Sequence, residues 1–169
     1  MNDSHSIVIR RAGEADLPAV LALIRELAAY ERAPEEVTIS IDDLRRDGFG
    51  EQPAFEALVA EDEGQVVGMA LSFLSYSTWK GLCLYLEDII VREPYRRRGI
   101  GTRLFEAVIR RAGELGARRL MWQVLHWNMP AFVFYRRYQA AFDSSWVNGK
   151  LTEEQIKQYC HDHEQGTSQ

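Results

Sequence analysis

The sequence has no run approaching the roughly 20 consecutive apolar residues that a membrane-spanning helix requires. Its polar start, Met1 to Ser6, also lacks the basic-then-apolar layout of a secretory leader. Both absences lead to the expectation of a cytoplasmic protein with no membrane partner. Cysteine is scarce: Cys83 and Cys160 have neither metal-ligand spacing nor a disulfide pattern, which suits two free thiols in a reducing compartment. The histidines His5, His126, His161 and His163 form no ligand spacing, so no metal is expected. Positive charge is not in excess. A formal net charge of −5 argues against a nucleic-acid partner and favours a cationic one, because an acidic surface concentrates positive ligands. Internal repeats and low-complexity tracts are absent, and 169 residues leave no room for a second domain. With 46% apolar residues, the chain reads as a single domain over 1–169, its core about 6–159 and its end, 160–169, a frayed tail.

What the sequence does contain is clear periodicity. Ile7 to Arg11 alternates and carries β-branched residues, the mark of a first strand. Leu17, Val20, Leu21, Ile24, Leu27 and Ala28 recur every 3.6 residues, which predicts a helix with Pro18 in its first turn. Glu31 to Glu36 reads as a loop, and Ser40 followed by Asp42, Asp43 and Leu44 as a capped short helix ending at Gly48. Three strands follow, Phe55 to Glu61, Val66 to Tyr76 and Leu82 to Arg92. A basic, glycine-containing run, Arg96 to Gly101, then delivers the chain to a helix with Leu104, Phe105, Val108, Ala112 and Leu115 on one face and Gly116 at its left-handed end. Leu120 to Leu125 predicts a strand, and Asn128 with Pro130 opens a helix, Ala131 to Arg137. A last strand is expected over Ala140 to Val147 and a short polar helix near Thr152 to Tyr159. This order describes an α/β fold, a mixed sheet with helices on both faces.

The chemistry starts at Arg96-Arg97-Arg98-Gly99-Ile100-Gly101-Thr102, where a buried strand hands over to a helix N-terminus. Free backbone N–H groups and the positive end of the helix dipole converge at such a point and bind phosphate. Gly99 and Gly101 leave no side chain in the way of a pyrophosphate, and three arginines add charge. The run is neither the Gly-Lys-Ser/Thr phosphate loop nor the three-glycine dinucleotide fingerprint.

With the preceding Leu86-Glu87-Asp88-Ile89-Ile90-Val91 strand, the Asn128-Met129-Pro130-Ala131 helix start and Phe134-Tyr135, the loop resembles that of the GNAT N-acetyltransferase superfamily. The blocks Glu26 to Glu31, Asp47 to Glu51, Leu84 to Asp88, Trp127 to Pro130 and Phe134 to Arg137 narrow the resemblance to the spermidine/spermine (diamine) N-acetyltransferase branch, over roughly residues 7 to 151. The resemblance implies a mostly antiparallel twisted sheet splayed between its fourth and fifth strands. It also implies acetyl-CoA as co-substrate and a homodimer that shares its amine channel. Arg96 to Thr102 would cradle the pyrophosphate, while the backbone of Ile89, Ile90 and Val91 and the helix start at Asn128, Pro130 and Ala131 would meet the pantetheine arm.

Acetylating an alkylamine poses two proton problems. An amine with a pKa near 10.4 is charged at neutral pH, and removing its proton costs about 4 to 5 kcal/mol, so a base is needed. A donor to the departing thiolate also helps. By resemblance the base is Glu87, acting directly or through water, and the donor is Tyr135. Asp88 would point to the other face of a regular strand. Tyr30, Glu31, Trp79, Glu87, Asp88, Met121, Trp122 and Gln123 match positions that line the amine channel.

Two departures from the branch stand out. Ser77-Thr78-Trp79 carries no acid where polyamine enzymes have one, which points to a shorter diamine, a lysine- or thialysine-like amine, or an aralkylamine. Tyr138-Gln139 stands where the superfamily usually has a glycine, which leaves the turn after the catalytic helix in question. A peptide or protein lysine acetyltransferase and a non-catalytic acyl-CoA-binding module are the alternatives.

Overall fold

The alternating segments form five strands, β1 (Val8–Arg11), β2 (Glu56–Asp62), β3 (Gln65–Ser77), β4 (Gly81–Val91) and β5 (Leu120–Met121), in one sheet of order β1-β2-β3-β4-β5. The first four are antiparallel neighbours; β4 and β5 are parallel. The 3.6-residue patterns become α1 (Leu17–Tyr30), α2 (Ile41–Phe49), α3 (Ile100–Glu114), α4 (Met129–Arg136) and α5 (Glu153–Glu164). The computed structural model describes residues 7–164. Two compact units divide the chain, Met1–Leu125 and His126–Gln169.

In the first unit each face of the sheet buries a helix. Leu17, Val20, Leu21 and Leu23 of α1 and Leu44 of α2 close a core over Val59, Met69 and Ile90. On the opposite face lies α3, whose Leu104 reaches Gly68: a Cβ on Gly68 would stand 3.3 Å from the Leu104 side chain and 2.9 Å from the Ile90 carbonyl. Glycine there lets the helix sit close to the sheet. Two ion-pair sets fix the frame. Arg10 of β1 donates to Asp16 before α1 at 2.6 and 2.9 Å and to Glu61 of β2 at 2.8 and 2.6 Å, which raises its pKa and lowers that of Asp16. Arg111 of α3 donates to Glu56 of β2 at 2.8 Å.

Three expectations need correction. The strand expected over Leu120 to Leu125 ends at Met121, because the next residue, Trp122, turns its ring edge-on to Phe105 of α3 at 5.4 Å. Only Leu84 and Tyr85 of β4 therefore have a partner on β5, and from Leu86 onward the two strands are splayed. In the second unit, Ala140 to Val147 forms no strand: the Asp143 carboxylate accepts the Ser145 N–H at 2.8 Å, a local turn that competes with a ladder. The terminal helix is longer than expected, and residues 160–164, expected to fray, belong to α5. A Thr152–Gln155 capping pair starts it, and the Lys157–Glu153 and Gln158–Asp162 pairs, four residues apart, extend it. His5 and residues 165–169 lie outside the described residues.

Candidate active site

Helix α3, like α1, has no side-chain cap at its N-terminus, whereas α2 and α4 do. A Ser40 hydroxyl caps α2 through the Asp43 N–H at 3.2 Å, and the Asn128 side chain caps α4 through the Ala131 N–H at 3.3 Å. At α3 the N-cap is Gly99, with φ 76° and no side-chain oxygen to offer. The first backbone bond into this helix is Arg103 N–H to the Gly99 carbonyl at 3.1 Å. The N–H groups of Ile100, Gly101 and Thr102 thus point out of the helix end, an arrangement that suits an anion. Arg97 also has a positive φ, 62°, so left-handed residues alternate along the loop and curl its N–H groups inward as an anion nest does. Ile100 contributes only backbone, since its side chain is fully buried. A Cβ on Gly101 would meet nothing nearer than Val91 at 3.9 Å, and on Gly99 nothing within 4 Å. The fold itself leaves this cradle open.

The three arginines do different things. Arg98 lies over the Tyr95 ring at 5.1 Å. The Arg96 Nε donates to the Val91 carbonyl at 3.0 Å, and its guanidinium lies 5.6 Å from the Tyr30 ring centre. Arg97 is exposed.

Strand β4 supplies the second part of the site. The Arg92 N–H bonds to the Val67 carbonyl at 2.9 Å, so by antiparallel alternation Ile90 exchanges its backbone bonds with Met69. Ile89 and Val91 then turn their N–H and C=O groups the other way, to the edge that β5 has left. Ile90 is accordingly a core residue by side chain and a sheet residue by backbone.

Register along β3 shifts where the carboxylates begin. Leu71 stands opposite Asp88, but Ser72 stands opposite Leu86, so Glu87 is the extra residue of a β-bulge. The regular alternation expected from sequence fails at this point. Asp88 shares the face of Ile90 by alternation, while Glu87, the extra residue, is exposed. Electrostatics show the grouping. The Asp88 carboxyl is pushed up to about 6, first by burial, then by the charges of Glu87 and Glu31. Glu31, just past α1, is raised by burial and by Glu87. Tyr85, stacked on Phe73 at 5.1 Å, is raised by the same two causes. Tyr85 was missed from sequence. The pair of adjacent acids in an apolar strand was the signal for a bulge, and with it for Tyr85 as their neighbour.

Other expected residues are less closely gathered. Tyr30 ends α1 and is part of the Arg96 contact. Trp79 sits at the exposed tip of the β3–β4 hairpin, six residue pairs from Asp88, or about 20 Å along the strand. Met121 pairs with Tyr85, Trp122 packs on α3, and Gln123 is exposed. Within the second unit, Asn128, Pro130 and Ala131 form the start of α4. Tyr135, on the same helix, is 5% exposed, and its phenol is pushed up to about 12 by burial. The turn after it survives without glycine, because Gln139 itself adopts φ 57°. Among the described residues, no group of three His, Cys, Asp or Glu is placed to hold a metal ion, and no helix is long and apolar enough to cross a membrane.

An uncapped helix N-terminus, a strand edge beyond β5 and a carboxylate cluster lie within the first unit, and comparison with known proteins gives the class of the chain. Residues 20–140 match the acetyltransferase (GNAT) family. A thialysine N-epsilon-acetyltransferase of Bos taurus is 46% identical over 138 residues, 77% of this chain and 81% of that protein. The spermidine/spermine N(1)-acetyltransferase-like protein 1 of Homo sapiens is 35% identical over 148 residues, 83% of this chain and 21% of that protein. Among solved structures, an aminoglycoside acetyltransferase from an uncultured soil metagenomic sample, in complex with trehalose, has a TM-score of 0.73 at 25% identity, covering 90% of this chain and 99% of that one. The chain belongs to the acetyltransferase (GNAT) family, and its chemistry is acetyl transfer to an amine.

Proposed function

We propose that the enzyme transfers the acetyl group of acetyl-CoA to the primary amine of a small cationic substrate of lysine, thialysine or short-diamine type, by direct attack in a ternary complex. The carrying observation is the cluster of Glu31, Glu87 and Asp88 at the bulge of β4, beside the strand edge that leads to the phosphate cradle. Carboxylates gathered with partial burial select an ammonium over a neutral nucleophile. The 46% identical thialysine enzyme supports a lysine-like amine, as does the missing acid at Ser77-Thr78-Trp79.

The open cradle fits the pyrophosphate: three outward N–H groups, a left-handed Arg97 and Gly99, and room over Gly101. Ile89 and Val91 suit the pantetheine amides and the thioester oxygen, by strand addition. Glu87, exposed at the bulge, takes the ammonium proton directly or through water. The neutral nitrogen then attacks the thioester carbon, a C–N bond forms, the C–S bond breaks as the coenzyme leaves as thiolate, and the second proton lost from the nitrogen passes to that thiolate, leaving the amide and free coenzyme A. Tyr135 is the donor to that sulfur. With its phenol at about 12, full transfer to a thiolate of pKa near 8.5 is uphill by about 5 kcal/mol. The hydroxyl therefore serves as a hydrogen-bond donor to developing charge. On this reading the whole chain, 1–169, works as one catalytic domain.

We infer a cytosolic homodimer as the working form. Two free cysteines support the compartment, and the exposed apolar side chains of Trp146, Val147 and Leu151 support a partner surface. Light scattering at assay concentration checks the mass. The function is tested by following thioester cleavage with lysine, thialysine, short diamines, spermidine, an aralkylamine and a lysine peptide. Highest kcat/KM is expected for the lysine-like amines, and turnover of the peptide alone would sink the proposal.

A further inference from the structure

The sequence pattern assigns all three loop arginines to the pyrophosphate, but the geometry separates one of them. Arg96 has an extended backbone, φ −66° and ψ 161°, and its side chain is committed on the protein. Its Nε donates to the carbonyl of Val91, the last residue of β4, at 3.0 Å. Its guanidinium lies 5.6 Å from the ring centre of Tyr30, the last residue of α1. One planar group therefore spans three parts: the phosphate loop, the end of the strand that carries the carboxylates, and the end of the helix that delivers Glu31.

That helix end needs a fixed exit. The Glu31 N–H bonds to the Leu27 carbonyl at 2.9 Å, and the next residue, Arg32, takes φ 65°, so the chain leaves the helix sharply at the residue that joins the carboxylate cluster. Tyr30 is 39% exposed, and the guanidinium over its ring ties this end down from the loop side.

We propose that Arg96 is a positioning residue that couples occupancy of the phosphate loop to the amine site, ordering Tyr30 and Glu31 instead of binding pyrophosphate. This rests on the reading of Glu31, Glu87 and Asp88 as the amine site. When the loop closes on phosphates it fixes Arg96, and Arg96 fixes the end of α1. By linkage, amine bound at Glu31 tightens the loop in return.

Arg96→Ala should raise the amine KM about three- to tenfold, the scale of one cation–π contact and one hydrogen bond, while the acetyl-CoA Kd by calorimetry changes less than about threefold. Arg96→Lys keeps the charge over the ring but loses the planar Nε donor, so it should rescue KM only in part. Tyr30→Leu should act in the same direction, and the Arg96→Ala/Tyr30→Leu double variant should be no worse than the poorer single one. A readout independent of turnover is hydrogen exchange of residues 28–33. Coenzyme A alone should protect this segment in the unmodified protein and not in Arg96→Ala. An acetyl-CoA Kd weakened tenfold or more with amine KM unchanged would make Arg96 a phosphate ligand and overturn the proposal. Equal exchange protection in both proteins would overturn it too. If the unmodified protein acetylates no amine yet shows the Arg96-dependent protection, the substrate reading fails and the coupling stands.

Discussion

Replacing Asp88 by asparagine should make this protein more stable and less active, with the gain in stability growing with pH. The Asp88 carboxyl moves from its ordinary value near 3.8 to about 6, chiefly through burial and secondarily through Glu87 and Glu31. A group whose folded pKa lies above its unfolded one favours the folded state only while protonated. As pH rises through the window from about 4 to about 6, the folded state must ionise a carboxylate that its surroundings resist. The resulting loss is small at pH 4 and grows to about 3 kcal/mol at pH 8, from 1.36 kcal/mol per unit. Asparagine has the same shape and no charge, so it escapes the loss.

Urea unfolding of both proteins at pH 5, 6, 7 and 8 reads this directly. At an m-value of about 2 kcal/mol per molar, a 2 kcal/mol gain moves the midpoint by about 1 M. The gain should rise by on the order of 1 kcal/mol between pH 5 and pH 8, with most of the increase below pH 7. In parallel, kcat/KM for a cationic amine should fall by about tenfold or more, as one carboxylate of the cluster is lost. A gain independent of pH, or a loss at every pH, would refute the argument, because it would mean that Asp88 is compensated by a partner and is not a carboxylate held against its preference.

Three further expectations are separable. Gly101→Val should leave the urea midpoint nearly unchanged, since the nearest atom to a Cβ is at 3.9 Å, but should weaken acetyl-CoA binding about tenfold or more by calorimetry. Tyr135→Phe should keep acetyl-CoA affinity while kcat falls about 10²- to 10³-fold in single-turnover assays, the loss of one donor to developing charge. Gln139→Gly should raise stability by up to about 1 kcal/mol in thermal unfolding, because glycine takes the φ of 57° observed there without strain.

Elements whose signals are local were legible in the sequence. The helix at Leu17, the Ser40 and Asn128 caps and the left-handed Gly116 are each written within a few residues, and each is found. The glycine turn into α3 was equally readable, since arginines and glycines within six residues precede the helix, and Gly99 is its left-handed N-cap. Elements decided by distant partners were not. Whether Leu120 to Leu125 pairs depends on Phe105, which captures Trp122. The strand-like composition of Ala140 to Val147 could not reveal the Asp143 turn. The bulge at Glu87 is a property of the β3–β4 register, so the regular strand on which the alternation of Glu87 and Asp88 was argued could not be checked from the sequence. For the same reason the Arg96 contacts with Val91 and Tyr30 could not be read from a run of three basic residues.

Two glycines show how packing and ligand demands can be told apart. At Gly68 a Cβ would lie 2.9 Å from the Ile90 carbonyl, so the sheet and α3 require glycine whatever the protein does. At Gly101 the same atom would find open space, and helix propensity alone would favour almost any other residue by up to about 1 kcal/mol. Packing therefore supplies no reason for glycine at position 101, and the ligand we propose against that backbone would supply one. The same logic extends along the stretch from Glu87 to Gly101. Here are a carboxyl raised to about 6, an arginine at φ 62° and a helix whose N-cap is a left-handed glycine. Each departs from what stability favours, and together they face one strand edge and one helix end. Local preference is overruled along this one stretch, and it is there that we propose the acyl donor and the cationic amine meet.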